Sequence, residues 1–446
     1  MLKRHALNTL MEWAQSSSTK PMLLQGARQS GKTWLMQELG KKSFKNTAYF
    51  DFAENPSLVS IFEGDLNPDR IVRELQALSS EPIEKKNTLI IFDEIQRSDR
   101  AFASLKYFEQ SQSQYRVIAA GSLLGVALRK RQVFAPVGKV EILQISPLSF
   151  SEYLLNSAPM LYDYVQSYDS LLPFSEVIYE KLQDQFRYFC ICGGMPEAAQ
   201  IQIESGNIAQ AEKSLNYILA LYLADFSQYT TPAEAIRIAD VWNAIPSQLA
   251  RPQSRFFLSQ ISKNARSREY RPALQWLEDA GLIKRVHQIS KPAIPLKAYE
   301  NPDFFKVFIS DIGLLRVMAK MPAKAITQNE PGYQEFKGSF TENFIALSLS
   351  SQLGFSPSYW ENKGKGEVDF VIQHNDGIFP VEVKSGQSIR ANSLQKYTKT
   401  FAPELVVRFS QKNLKLDGRT LNVPLCLADW SSKWIHLAAN TLGITT

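Results

Sequence analysis

Three rhythms of apolar and polar positions divide this chain. Up to about residue 145, short apolar runs of strand length alternate with helical stretches. Met22-Leu23-Leu24 leads through a glycine-containing turn into a helical stretch from Trp34 to Leu39, and Ala48 to Phe52 reads as a second strand. Pro68 to Leu78 puts Ile71, Leu75 and Leu78 on one helical face. Thr88-Leu89-Ile90-Ile91-Phe92-Asp93-Glu94 is an apolar run ending in two acids, the pattern of a parallel strand buried on both faces. Tyr115 to Ala120 and Lys139 to Leu143 read as further strands, with a helix from Leu123 to Leu128 between them. This part predicts an α/β domain over residues 1–155 with a parallel sheet.

The second rhythm is helical. It runs from Ser149 to about Leu223, broken near Ser157 to Pro159 and at Gly193-Gly194, and resumes from Arg237. A helix from Ser267 to Ala280 stops at Gly281, and short strands, Leu282 to Val286 and Ile294 to Tyr299, flank Lys291-Pro292. Helices followed by a two-stranded wing predict a winged helix over residues 231–325, after a helical region over 156–230. Such a module would offer Arg268 and Arg271 to a DNA groove, or serve as a packing lid. The third rhythm, over 326–446, is a helix from Gly338 to Leu353 and two strands, Gly366 to Ile372 and Phe379 to Ser385, joined by the turn His374 to Gly377.

The chemistry begins in the first turn. Gly26-Ala27-Arg28-Gln29-Ser30-Gly31-Lys32-Thr33 is a complete phosphate-binding loop in its required strand–loop–helix context. Gly26 and Gly31 let the backbone curl so that successive N–H groups point at an anion, and the following helix N-terminus adds partial positive charge. Lys32 would reach the β- and γ-phosphates, and Thr33 would place its hydroxyl on Mg²⁺. A nucleoside triphosphate, ATP, is the expected ligand. Asp93 would hold Mg²⁺ through water, and Glu94 would polarise the water that attacks the γ-phosphate. Ser122, at the tip of the next strand, could sense the γ-phosphate or cap the helix after it. Arg129, Lys130 and Arg131 could supply an arginine finger to a neighbouring copy, implying a homo-oligomer, or form a solvated helix end.

With this loop stand the strand ending Phe92-Asp93-Glu94-Ile95-Gln96, Ala120-Gly121-Ser122, Pro147-Leu148-Ser149-Phe150-Ser151-Glu152-Tyr153 and Gly193-Gly194-Met195-Pro196-Glu197. Together, over essentially the whole chain, they resemble the prokaryotic AAA+-like ATPases whose C-terminal half is a domain of unknown function with a nuclease-like fold. The resemblance implies an ASCE-type P-loop NTPase sheet that hydrolyses ATP. The family has Gly-Arg-Val where this chain has Gly138-Lys139-Val140. Lysine cannot make arginine's bidentate fork, which puts a phosphate role for Lys139 in doubt.

The third part carries a second constellation. Glu342 shares a helical face with Ile345 and Leu349, and an acid on an apolar stripe needs a partner or a metal. Asp369 interrupts one apolar strand, and on the next Glu382 and Lys384 share a face opposite Val381 and Val383. Helix acid, strand aspartate and Glu-x-Lys resemble the PD-(D/E)XK, or restriction-endonuclease-like, fold. There Glu342, Asp369 and Glu382 would hold Mg²⁺, and Lys384 would stabilise charge developing on a scissile phosphate. Cross-strand salt bridges would use the same residues, and a fold of this kind could equally bind without cutting.

Composition changes this picture in one place. The net charge of the 446 residues is +6. Ten basic residues against four acids between Arg251 and Glu300 carry an excess of that size. That footprint fits nucleic acid or a solvated surface. Cys190, Cys192 and Cys426 lack the number and spacing for a disulfide framework or zinc site, and no apolar run is long enough for a membrane helix. The expectation is a cytoplasmic, DNA-directed ATPase with a nuclease-like domain. The alternative is a nucleotide-gated scaffold whose nuclease-like domain only binds a partner or nucleic acid.

Overall fold

In a computed structural model that describes residues 2–111, 114–126, 138–251, 255–261, 267–327, 331–362, 366–386 and 392–444, the run Thr88–Asp93 is a strand buried at every position. It is β3 in a sheet with β1 (Met22–Gln25), β2 (Asn46–Asp51), β4 (Arg116–Ala120) and β5 (Glu141–Gln144). The order is β2-β3-β4-β1-β5, and every pairing is parallel. Period-two geometry splits the strands between two cores. Ile90 and Phe92 of β3, with Val117 and Ala119 of β4, join Phe50, Phe52, Phe62 and Phe108 on one face. Leu89, Ile91, Ile118 and Ala120 join Leu24, Leu35 and Leu39 on the other. The helices here are α1 (His5–Gln15), α2 (Lys32–Ser43), α3 (Pro68–Gln76) and α4 (Asp99–Gln110). Leu7, Leu10 and Trp13 of α1 enter the second core. This is an α/β P-loop NTPase fold.

The chain divides into two units: Met1–Pro147 with Asp279–Leu282, and Leu148–Glu278 with Ile283–Thr446. The second unit begins with α5 (Phe150–Ser157), α6 (Pro159–Ser167), α7 (Glu176–Cys192), α8 (Pro196–Ser205), α9 (Ile208–Gln228) and α10 (Pro232–Leu249). Ser149 and Glu152 form a reciprocal capping box on α5. The Gly193-Gly194 segment is a tight packing point. A Cβ on Gly193 would strike the Asp311 carboxylate, and one on Gly194 would strike the Leu148 carbonyl. Asp311 accepts from Gly194 N–H (2.5 Å) and from Leu314 N–H (2.8 Å), the latter capping α12 (Ile312–Met318).

The helix α11 (Ser267–Asp279) lies where the pattern placed it. The strands after it do not match their expectation fully. β6 is Ile283–Ile289, but Leu296–Tyr299 is a 3-10 turn, and the second strand, β7, is Glu300–Ile309. Pro292 and Pro295 lack the N–H that a ladder needs, which defers the strand past them. Nor is the hairpin a free wing. β6 pairs in parallel with β8 (Ser358–Glu361), making one eight-stranded sheet with β9 (Glu367–His374), β10 (Gly377–Val383), β11 (Val406–Ser410), β12 (Lys415–Asp417) and β13 (Thr420–Pro424). The sheet order is β12-β13-β11-β10-β9-β8-β6-β7. It is accompanied by α13 (Ala323–Thr327), α14 (Pro331–Leu353), α15 (Asn392–Phe401) and α16 (Ser431–Thr441).

Candidate functional site

Between β1 and α2 the loop folds as its glycines require. Gly26 has φ 147° and Gly31 φ 91°, and a Cβ on Gly26 would run into the carbonyl of Ile145 after β5. Lys32 is buried and donates to the carbonyls of Gly26 (3.0 Å) and Ala27 (2.8 Å). Burial lowers its ammonium to about 8, against the pull of Glu94 and Asp93. Thr33 Oγ1 donates to Asp93 Oδ2 at 2.6 Å, so the hydroxyl and carboxylate expected to flank Mg²⁺ already converge. Burial raises the Asp93 pKa, while the Thr33 hydrogen bond opposes the shift.

Glu94 follows in a left-handed conformation, φ 51° and ψ 37°. Its Oε2 accepts from Gln96 Nε2 and from Ser122 Oγ, the latter at 3.1 Å. The structure thus joins Lys32, Thr33, Asp93, Glu94 and Ser122 at the carboxyl ends of parallel strands, where α/β sheets bind ligands.

Three residues escaped the sequence reading. Arg4, buried just before α1, donates to Ser30 O of the loop (3.0 Å) and to Ser146 O (2.7 Å). Tyr49 donates to Asp93 Oδ2 at 3.1 Å. Gln96 was visible only as part of a motif, with no role attached. Lys139 pairs with Glu109 at 3.0 Å. Arg129, Lys130 and Arg131 lie outside the described residues.

In the second unit, α14 carries Glu342, β9 carries Asp369, and β10 carries Glu382 just before Lys384. Asp369 Oδ2 accepts from Val383 N–H at 2.7 Å. Both oxygens of Glu382 are engaged, one by Lys384 (3.0 Å) and the other by Arg408 Nε (3.1 Å). Glu342 instead faces Lys306 of β7, whose ammonium is fully buried, at 3.4 Å, and Lys306 also pairs with Glu367. Burial alone would lower the Lys306 pKa, but Glu342, Glu367 and Asp369 hold it above its ordinary value. Burial and the Glu342 charge push Asp369 up, while Lys306 opposes the shift. Among the described residues, no three His, Cys, Asp or Glu side chains are grouped to hold a metal ion.

The basic segment is partly neutralised. Arg271 pairs with Asp303 and Arg285 with Glu278, and Arg255 stacks 3.5 Å over the Phe304 ring. Arg251, Arg268, Lys291 and Lys297 are exposed, whereas Lys263 and Arg266 lie outside the described residues. The three cysteines are free and buried. No helix among the described residues is long and apolar enough to cross a membrane.

Comparison with known proteins matches three segments of the chain. Residues 18–154 match a family described as an AAA domain. Residues 183–325 and 337–427 match two domains of unknown function, DUF8612 and DUF4143. No curated protein matches the chain. Among solved structures, the Walker-type ATPase PABY2304 of Pyrococcus abyssi is similar at 15% identity and TM-score 0.45, over 71% of this chain and 96% of that one. The ORC2 protein of Aeropyrum pernix, in ADPNP–ADP complexes, is similar at 12% identity and TM-score 0.35, over 73% and 94%. The replication initiator DnaA bound to AMPPCP and single-stranded DNA is similar at 15% identity and TM-score 0.28, over 62% and 87%. The AAA-domain match lies over the loop and the Asp93-Glu94 strand, so residues 18–154 form an ATP-binding P-loop ATPase domain of AAA type.

Proposed function

We propose that ATP turnover in the first unit controls a nuclease-like module in the second, and that this module engages DNA. The observation that carries the reading is the pair at the tip of β3, with Asp93 hydrogen-bonded to Thr33 and Glu94 held by Gln96 and Ser122. Lys32 and the loop N–H groups bind the phosphates. Thr33 and Asp93 would hold Mg²⁺, which when bound neutralises charge developing on the γ-phosphate. Glu94 orients and polarises the attacking water, and Ser122 fixes the direction of that carboxylate. Domain boundaries near 155, 230 and 325 and a cytoplasmic setting belong to the same reading.

Support for the module comes from chain order. Helix α14, the antiparallel strands β8, β9 and β10, helix α15 and the parallel strand β11 follow one another. They carry Glu342, Asp369 and Glu382, with Lys384 just after β10, in the order that the nuclease resemblance implies. Exposed Arg251, Arg268 and Lys297 add positive surface for phosphates. A second reading, in which the module binds and cuts nothing, is favoured by Glu382, both of whose oxygens are already engaged.

ATP turnover measured with and without DNA tests the coupling, and DNA should change the rate. Glu94→Gln should keep ATP binding and lower turnover by about 100-fold or more. Undiminished hydrolysis in that variant, or DNA affinity indifferent to salt, would overturn the reading. Supercoiled and single-stranded DNA incubated with Mg²⁺ or Mn²⁺, with and without ATP, separates cutting from binding.

A further inference from the structure

The nuclease resemblance assigns a divalent cation to the acids of α14, β9 and β10. A cation of another kind already stands against one of them, Glu342, and against Glu367, an acid of β9 outside that set. Lys306 comes from β7, outside the helix and strands that carry the motif, and its side chain is 0% exposed. Its ammonium is paired with Glu342 of α14 and Glu367 of β9, and lies 5.1 Å over the Tyr359 ring and 5.8 Å over that of Phe370. Of the other two acids of the motif, Glu382 is turned to Lys384 and Arg408. Asp369 is tied by one oxygen to the Val383 N–H.

The donor set does not fit Mg²⁺. That ion needs near-octahedral oxygen ligands at about 2 Å and keeps several of its waters. An ammonium seated against Glu342 occupies a lone pair that the metal would need and repels a second cation.

We infer that Lys306 takes the place of the divalent metal in this cluster, so that the module holds its partner without metal-assisted phosphodiester hydrolysis. A lysine on the strand is a covalently attached counter-ion. It neutralises the acids and supplies no activated water. The inference concerns the module named above and stands whether or not its partner is DNA.

Mn²⁺ binding decides the matter. Nucleotide-free full-length chain carrying Asp93→Asn, which removes the ATP-site ligand, is titrated with Mn²⁺ and read by electron paramagnetic resonance. No site sensitive to an added Asp369→Asn is expected. Lys306→Ala in the same background should create one Mn²⁺ site, at least about tenfold tighter than any in its parent. Adding Asp369→Asn should abolish that site, and Mn²⁺ should raise the Tm of the Lys306→Ala chain but not of its parent.

Two results would overturn the inference: an Mn²⁺ site in the parent that Asp369→Asn removes, or a folded Lys306→Ala chain that gains none. If Lys306→Ala loses cooperative unfolding, the parent titrations with and without Asp369→Asn decide alone. No arm uses DNA or ATP, so failure of the coupled-ATPase reading is told apart from failure of this one.

Discussion

Glu94 and its two donors show how much one side chain's direction depends on neighbours. The left-handed backbone at Glu94 is uncommon for a residue with a Cβ. It persists because the buried core of β3 precedes it and Gln96 and Ser122 grip one oxygen, Oε2. Ser122→Ala and Gln96→Ala should each lower kcat for ATP about fivefold to tenfold, the equivalent of one hydrogen bond. ATP affinity should stay near its starting value in a binding titration. The double variant should fall short of the product of the two losses, because both donors serve the same atom. Arg4→Ala should act differently. It leaves the Ser30 and Ser146 carbonyls unserved, so it should weaken ATP binding and lower stability by about 2 kcal/mol in denaturant unfolding.

The loop and the Asp93-Glu94 pair were legible in the sequence because their residues are contiguous and their spacing is dictated by phosphate geometry. Arg4, Tyr49 and Gln96 were not, since their roles exist only after distant backbone is brought together. Lys306 did leave a trace. It is the lone charge in Phe305-Lys306-Val307-Phe308-Ile309, a stretch buried throughout. A lysine inside such a run needs a carboxylate, and the sequence does not say which.

At the scale of elements, proline decided one boundary. The apolar positions of Ile294 to Tyr299 suggest a strand, yet the ladder waits until Glu300 because Pro292 and Pro295 cannot donate to it. The contact between the Gly193-Gly194 corner and the start of α12 was equally hidden, for Asp311 lies more than 100 residues from its partner Gly194.

Burial raises Asp311 to about 6, with the N–H groups of Gly194, Leu314 and Gly313 opposing the shift. A carboxyl whose native pKa lies above its unfolded value binds its proton more tightly when folded. This group therefore weakens the fold above about pH 6, and the penalty is relieved as the pH falls from about 6 towards about 4. Between pH 7.5 and pH 5, wild type should gain roughly 1 kcal/mol more unfolding free energy than Asp311→Asn. Denaturant titrations at the two pH values measure the difference, and parallel behaviour of the two chains would contradict it.

At the scale of the whole molecule, the two units fold around separate sheets, one all parallel and one mixed. The P-loop fold was readable from alternating strands and helices. The continuity of the second sheet was not, because pairing of β6 with β8 joins strands about 70 residues apart. A fragment of residues 148–446 should unfold cooperatively in thermal melts. One starting at 337 should aggregate or melt without a transition, having lost β6, β7 and Lys306 and bared the β8 edge. A sharp transition in the shorter fragment would show that β6 and β7 are dispensable.

That shared sheet also bears on inheritance. The segments matched as separate domains, 183–325 and 337–427, contribute neighbouring strands, and the ion pairs of Lys306 with Glu342 and Glu367 cross the seam between them. A gene fusion joined at that seam would pass on the acids without their counter-charge, so the two segments can be transplanted only as one cassette.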